Sequence, residues 1–353
     1  VSDDLFSKLF ELFNQPGPVN WKLAAEVARH LSGERQPVEP WAAEEFRELA
    51  RLAEYRLEEV APFPVRPAVD VLPLDPRSWA EKNLELYGSL VEPFATSMGG
   101  EAAPMMAQIA PAMIGLQVGS LVGGLSAWVV AGFDAGLPPD REGPLSLVVP
   151  HIEALRVDGV DPREVRLWVV ANEVAFRAVS EVPWVRDHLA HLVTEYAAAA
   201  QIDPTRLSGL VLGGTDPAAI EQAIAEAGGL EGLIGGEEAE APRAELEAFL
   251  GTVAGCSRLL ARRAVADMGP HFDRVSDTRD LERDEFTATP TIGVGPVPSE
   301  AVKLGDAFNQ EVERRYGDDA LQTLWSDPSR MPSAAELRDP TAWAARVLLD
   351  GWT

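Results

Sequence analysis

The chain is poor in the residues that build covalent and metal-bound scaffolds, with one cysteine, Cys256, and five histidines in 353 residues. A single thiol excludes an intrachain disulfide and the zinc fingers built on cysteine pairs. It also suits a reducing compartment, so a cytoplasmic location is expected. Basic residues are scarce, 30 against 56 acidic, giving a net charge of −26. Gripping a phosphate backbone or an anionic bilayer needs Lys and Arg on the contact face, so nucleic acid and anionic membrane are poor partners. Alternating β-branched runs are almost missing, and Leu145 to Pro150 is the best strand candidate. No basic segment followed by an apolar one opens the sequence, so a signal peptide is not expected; the missing initiator Met suggests a processed start.

Charge is wholly absent from Ala102 to Phe133, a stretch longer than the roughly 20 residues that cross a bilayer. It is nevertheless interrupted by Pro104, Gln108, Pro111, Gln117, Ser120 and Ser126, and no Lys or Arg cluster flanks it. Gly115, Gly119 and Gly123 recur every four residues and leave bare backbone along one helical face, where a second helix can approach. A buried central helix region is therefore expected, without stable membrane insertion.

What the sequence has in quantity is helix signals. Asp-Pro occurs six times, at Asp75, Asp161, Asp203, Asp216, Asp327 and Asp339. Asp caps a helix and Pro at its first position gives up an amide that has no partner there, so each pair predicts a helix start. Leu5, Phe6, Leu9, Phe10 and Phe13 form an apolar stripe at helical spacing. The expected fold is mainly α, with at most a few short strands, in one domain over 1–353. An N-terminal helical part covers 1–100 and a core part 101–353. Gly, Ala and Glu dominate 213–251, and 228–245 is expected to be a mobile acidic connection. Pro290, Gly293, Gly295, Pro296 and Pro298 predict a loop over 280–300.

Asp161-Pro162-Arg163-Glu164 has capping-box spacing and predicts a helix from Pro162 to Val179. Its middle is apolar on most sides, with Asn172 and Glu173 at the centre. Pairing of Glu173 with Arg177 four residues on is the plainest role for that acid.

The segment Trp168-Val169-Val170-Ala171-Asn172-Glu173-Val174-Ala175-Phe176, followed by Val182-Pro183-Trp184-Val185-Arg186-Asp187-His188, resembles the zincin-like family of bacterial metallohydrolases, zincin-like metallopeptidase type 2. Trp79 to Leu84, Gly124 to Ser126, Leu147 to Ile152 and Asp339 to Trp343 extend the resemblance over most of the chain. The resemblance implies a zincin-like helical fold and His-Glu-x-x-His at 172–176. In that motif two imidazoles one helical turn apart bind zinc and the Glu activates the bound water. Here Asn172 and Phe176 stand at the ligand positions and only Glu173, a vestigial general base, is kept. A second family motif, Glu-Gly-His-Ala-Asp, matches Ala254 to Arg258, with Cys256 and Arg258 at degenerate positions. Arg258 is expected to supply positive charge to Glu173 in place of the metal.

His188, His191 and Glu195 share one helical face and form a candidate displaced metal site. His30, His151 and His271 are isolated and read as structural. Cys256 has no sequence-local His partner, and no Gly-x-Ser-x-Gly elbow, phosphate loop or dinucleotide fingerprint is present. The expected function is a binding or scaffolding role with a protein or peptide partner, without cofactor. The alternative is an active hydrolase that holds zinc at a displaced site and uses Glu173 as general base.

Overall fold

Helices carry the fold. The computed structural model describes residues 17–67, 70–99, 104–136, 143–200, 237–287 and 296–349. In chain order the first elements are α1 (Trp21–Leu31), α2 (Ala42–Val60), β1 (Val71–Leu74), α3 (Pro76–Gly99), α4 (Pro104–Ser126), the single turn α5 (Gly132–Ala135), β2 (Leu145–Val148) and α6 (Val149–Ala154). They are followed by α7 (Pro162–Ser180), α8 (Val185–Ala199), α9 (Glu237–Ala264), α10 (Phe272–Thr287), α11 (Ser299–Tyr316), α12 (Asp318–Leu324) and α13 (Pro340–Leu349).

The Asp-Pro signals act as expected wherever they are described. Asp75, Asp161 and Asp339 precede α3, α7 and α13, and Asp327 caps a short 3-10 turn by accepting the Ser329 amide. The stripe from Leu5 to Phe13, and Asp203 and Asp216, lie outside the described residues. Two loop expectations are corrected. The acidic run Glu237, Glu238, Glu240 belongs to α9, and residues 280–287 complete α10 before the Pro/Gly-rich stretch begins.

The glycine stripe on α4 meets α1. A methyl group at Gly115 would lie 2.4 Å from the Asn20 carbonyl oxygen, one at Gly119 2.5 Å from that of Ala24, and one at Gly123 2.7 Å from Leu31 Cβ. Only hydrogen fits at each, which is how small residues let two helix backbones touch. Leu116 and Ser120, on another side of α4, are exposed. The helix buried on nearly every side is instead α7, buried from Leu167 through Ser180. Among the described residues no helix is long and apolar enough to cross a membrane.

A second pair of helices uses the same device. A methyl at Gly305 of α11 would lie 1.9 Å from the Gly251 carbonyl oxygen of α9, and one at Gly255 2.1 Å from the Asp306 amide nitrogen. Gly251-x-x-x-Gly255 thus seats α11 on α9, and α9 packs on α7 through its other side.

The strands β1 and β2 pair in parallel, with Val71 opposite Leu145 and Leu74 opposite Val148. β2 falls within the predicted strand. β1, with Pro73 inside it and only four residues, gives no periodic signal. Parallel pairing requires a crossover, supplied here by α3 and α4. On its other side β2 fixes the turn before α5, because the Val148 amide donates to the Val130 carbonyl at 2.8 Å. That turn delivers residues 130–136 to the middle of α7.

Candidate functional site

The centre of α7 is where chemistry is expected, and its three key residues are all buried. Asp161 caps the helix by accepting the Arg163 amide at 2.8 Å. Glu164 does not complete a reciprocal box; it accepts the His271 amide at 2.6 Å. Further along, Asn172 turns its amide back on its own helix and donates to the Trp168 carbonyl at 2.8 Å. Phe176 is 1% exposed, a packed ring with no lone pair to offer a metal.

Glu173 points away from these two, toward the turn before α5. Its Oε2 accepts the Phe133 amide at 2.9 Å, while its Oε1 has no hydrogen-bond partner among the described residues. Gly132 allows the approach, since a methyl there would sit 2.9 Å from Oε1. Burial pushes the Glu173 carboxyl up to about 7; the Phe133 amide opposes this, Asp134 adds to it, and Arg177 and the Gly132 amide oppose it more weakly. Arg177 itself donates to Glu181 at 2.9 Å and to the Gly143 carbonyl.

Beside α7 lies a buried ion-pair cluster that the sequence reading did not identify. Asp134, with no exposure, accepts from Arg279 Nη2 at 2.7 Å, from Arg283 Nη2 at 3.2 Å and from the Val130 amide at 2.9 Å. Arg279 also caps the Trp128 carbonyl at 2.7 Å, lies over the Trp128 ring at 4.4 Å and pairs with Glu282. Burial lowers the Arg279 pKa, but Asp134 and Glu282 more than offset it and leave the group above its ordinary value. Arg283 goes the other way: burial, reinforced by Arg258 and Arg279, outweighs Asp134 and holds it below its ordinary value.

Arg258 is bound by Asp280 of α10 through two hydrogen bonds, at 3.0 and 2.7 Å. This corrects the expectation that it answers Glu173. Its charge is matched by Asp280, and the cation that bears on Glu173 is Arg177. Cys256 is fully buried, and burial pushes its thiol well above the ordinary range. A thiol so held stays protonated at neutral pH and is not poised as a nucleophile, which requires the thiolate.

The space beside Asn172 and Phe176 is a cavity of about 20 Å³, room for about one water molecule. Asn172 and Phe176 of α7, Ser257 of α9 and the three arginines Arg258, Arg279 and Arg283 line it. Among the described residues no carboxylate is on its wall, and Glu173 is not part of it. Two larger grooves, of about 820 and 990 Å³, lie elsewhere. The charges of the first are largely matched within it, as in Arg262 with Asp306 and Asp273.

The candidate displaced site His188, His191 and Glu195 lies on α8. His188 stands edge-on to the Phe249 ring at 4.9 Å, and His191 lies 3.5 Å from Glu195. Among the described residues no group of three His, Cys, Asp or Glu could hold a metal ion. His151 bonds the Val129 carbonyl at 2.8 Å and His271 faces Glu164 at 3.0 Å.

Asp134 and the α10 arginines escaped the sequence reading because α10 has almost no apolar face. The available signal was Arg279 and Arg283 four residues apart with Asp280 between, a spacing that presents two guanidiniums on one helical side.

Comparisons with known proteins bear on the fold and the family. The sequence model of the zincin-like metallopeptidase family matches residues 19–344. A crystal structure from Chloroflexus aurantiacus, described as a "putative hydrolase with a novel fold", superposes with a TM-score of 0.66 at 20% identity, covering 93% of this chain and 98% of that one. At that identity the likeness shows the fold alone. No curated protein matches the chain. With the family match spanning nearly the whole described structure, the chain belongs to the zincin-like metallopeptidase family.

Proposed function

We propose that this chain is a non-catalytic member of its family, a binding or scaffolding protein that works without metal. The observation that carries the reading is the content of the pocket at 172–176. A family zinc site needs lone-pair donors converging on one point. Phe176 has none, Asn172 directs its amide into its own helix, and the adjoining wall carries three guanidiniums. A dication placed there would meet positive charge on the side where its ligands belong. These residues do not fit zinc, and no step of hydrolysis is assigned to it.

Glu173 keeps one property of a general base, a pKa tuned close to neutrality. It lacks the other, a substrate-sized space beside the carboxylate, because Oε2 is held by the Phe133 amide and the cavity is lined without it. Its part is structural: it ties α7 to the 130–136 turn, while α9 and α10 close over the former ligand face. A partner of protein or peptide nature would then be read by the outer surface, not by this pocket.

The test is catalytic. Wild type and Glu173→Gln are compared on ester, amide and peptide substrate panels, with and without added zinc. The expected result is no turnover that distinguishes them. Zinc-dependent turnover abolished by Glu173→Gln would overturn the reading in favour of a hydrolase with ligands drawn from elsewhere.

A further inference from the structure

We infer that the groove between α8, α9 and the stretch 328–346 is the partner-binding surface of this chain, and that its occupant is a basic amphipathic peptide segment of another protein, apolar on one face and carrying Lys or Arg on the other. This rests on the binding role proposed above and gives that role a place. The groove encloses about 990 Å³, at the top of the usual range for ligand pockets, so it takes several side chains at once.

Its floor is apolar, supplied by Leu192 and Ala199 of α8, Pro242 and Phe249 of α9, and Met331 and Pro332. Donors are few. Pro242, Pro328 and Pro332 line it without an amide hydrogen. Arg346 is spent on Glu336, at 2.7 and 2.8 Å, and on the Ser329 and Met331 carbonyls.

The remaining charge on the wall is negative. Glu195 on α8 and Glu245 on α9 are both exposed, and among the described residues no Lys or Arg pairs with either. Glu195 has His191 at 3.5 Å, and Glu245 accepts the Ala334 amide at 3.3 Å. Burial, reinforced by His191, holds the His188 imidazole below its ordinary value against the pull of Glu195, so it adds no charge at neutral pH. The groove between α9, α10 and α11 differs in this respect. There Asp306, Glu313 and Glu311 are answered in place by Arg262, Arg263 and Arg314.

An apolar floor beside two carboxylates without cationic partners suits side chains that are apolar along the stem and positive at the tip. The net charge of −26 draws such a segment in. The same charge opposes a second copy of this chain as the occupant.

The experiment is fluorescence anisotropy of a labelled Leu/Lys peptide, with its leucines on one helical face, titrated with the full chain in EDTA at physiological salt. Saturable binding is expected, weakened at least about tenfold when Glu195→Gln and Glu245→Gln are combined. Ala198→Trp, at an exposed position on the wall, fills the groove while leaving its charge intact and is expected to weaken binding as much. Glu58→Gln with Asp158→Asn removes the same charge from exposed positions outside the groove, and is expected to change affinity less than about twofold. A peptide with Ser in place of Leu is expected not to saturate. Absence of saturable binding overturns the inference, as does an equal loss in the two double variants, which would reduce the binding to attraction by net charge. Self-association of the chain that Ala198→Trp abolishes overturns it in favour of a second copy. The two readings fail separately: zinc-dependent turnover lost in Glu173→Gln overturns the non-catalytic role and leaves the peptide result standing, whereas a chain with neither turnover nor peptide binding overturns this inference alone.

Discussion

Replacing Glu173 by Gln takes a titrating proton out of the centre of α7, and the structure sets the size of the effect. In the unfolded chain the carboxyl ionises near its ordinary 4.5, in the folded protein at about 7. Between these values the folded state holds a proton that the unfolded state has released, so rising pH favours unfolding. The contribution is complete below the unfolded value and is lost as the pH rises through the folded one. At about 1.4 kcal/mol per pH unit the loss comes to about 3 kcal/mol. Gln is neutral throughout and can still accept the Phe133 amide through its carbonyl. Its stability relative to wild type should therefore improve by about 3 kcal/mol between about pH 4 and about pH 8. Urea unfolding curves at a series of pH values measure this directly. If the two proteins lose or gain stability in parallel across that range, the carboxyl is not buried and protonated as described, and the reasoning fails.

Two further substitutions probe what surrounds the site. Gly119→Val puts a side chain where a methyl already comes within 2.5 Å of the Ala24 carbonyl oxygen; forcing α1 off α4 should cost about 1–3 kcal/mol, seen as a lowered Tm. Asp134→Asn removes the carboxylate clamped between Arg279 and Arg283; leaving buried guanidiniums unmatched should cost about 3–5 kcal/mol, read as a lower urea midpoint with an unchanged slope.

How much of this was legible depends on whether packing or charge did the work. The α4 stripe was readable because Gly at every fourth position has few other uses, and α1 indeed lies against it. The Asp-Pro starts were readable because capping is local, decided within one turn. Burial of Glu173 followed from the apolar run around it, Leu167 to Ala171 and Val174 to Phe176.

The ion-pair cluster was not readable in the same way. In α10, Arg279, Asp280 and Arg283 are each buried at 3% exposure or less, yet in sequence they belong to a helix that looks solvent-facing throughout. Their burial is a tertiary fact, fixed by Asp134 145 residues away from Arg279 and by Arg258 on α9. The expected role of Arg258 failed for the same reason, because a carboxylate nearer to it in the fold, Asp280, stands far from Glu173 in the sequence.

The most direct measurement is the metal content of the full chain after equilibration with excess zinc and removal of free ion, read by elemental analysis against protein concentration. With Asn172 and Phe176 where the resemblance implies zinc ligands, and guanidiniums lining the adjoining space, retained zinc should be far below one ion per chain, and equal in wild type and Glu173→Gln. One tightly held zinc per chain, with hydrolytic activity that disappears in Glu173→Gln, would contradict the proposed loss of the metal site.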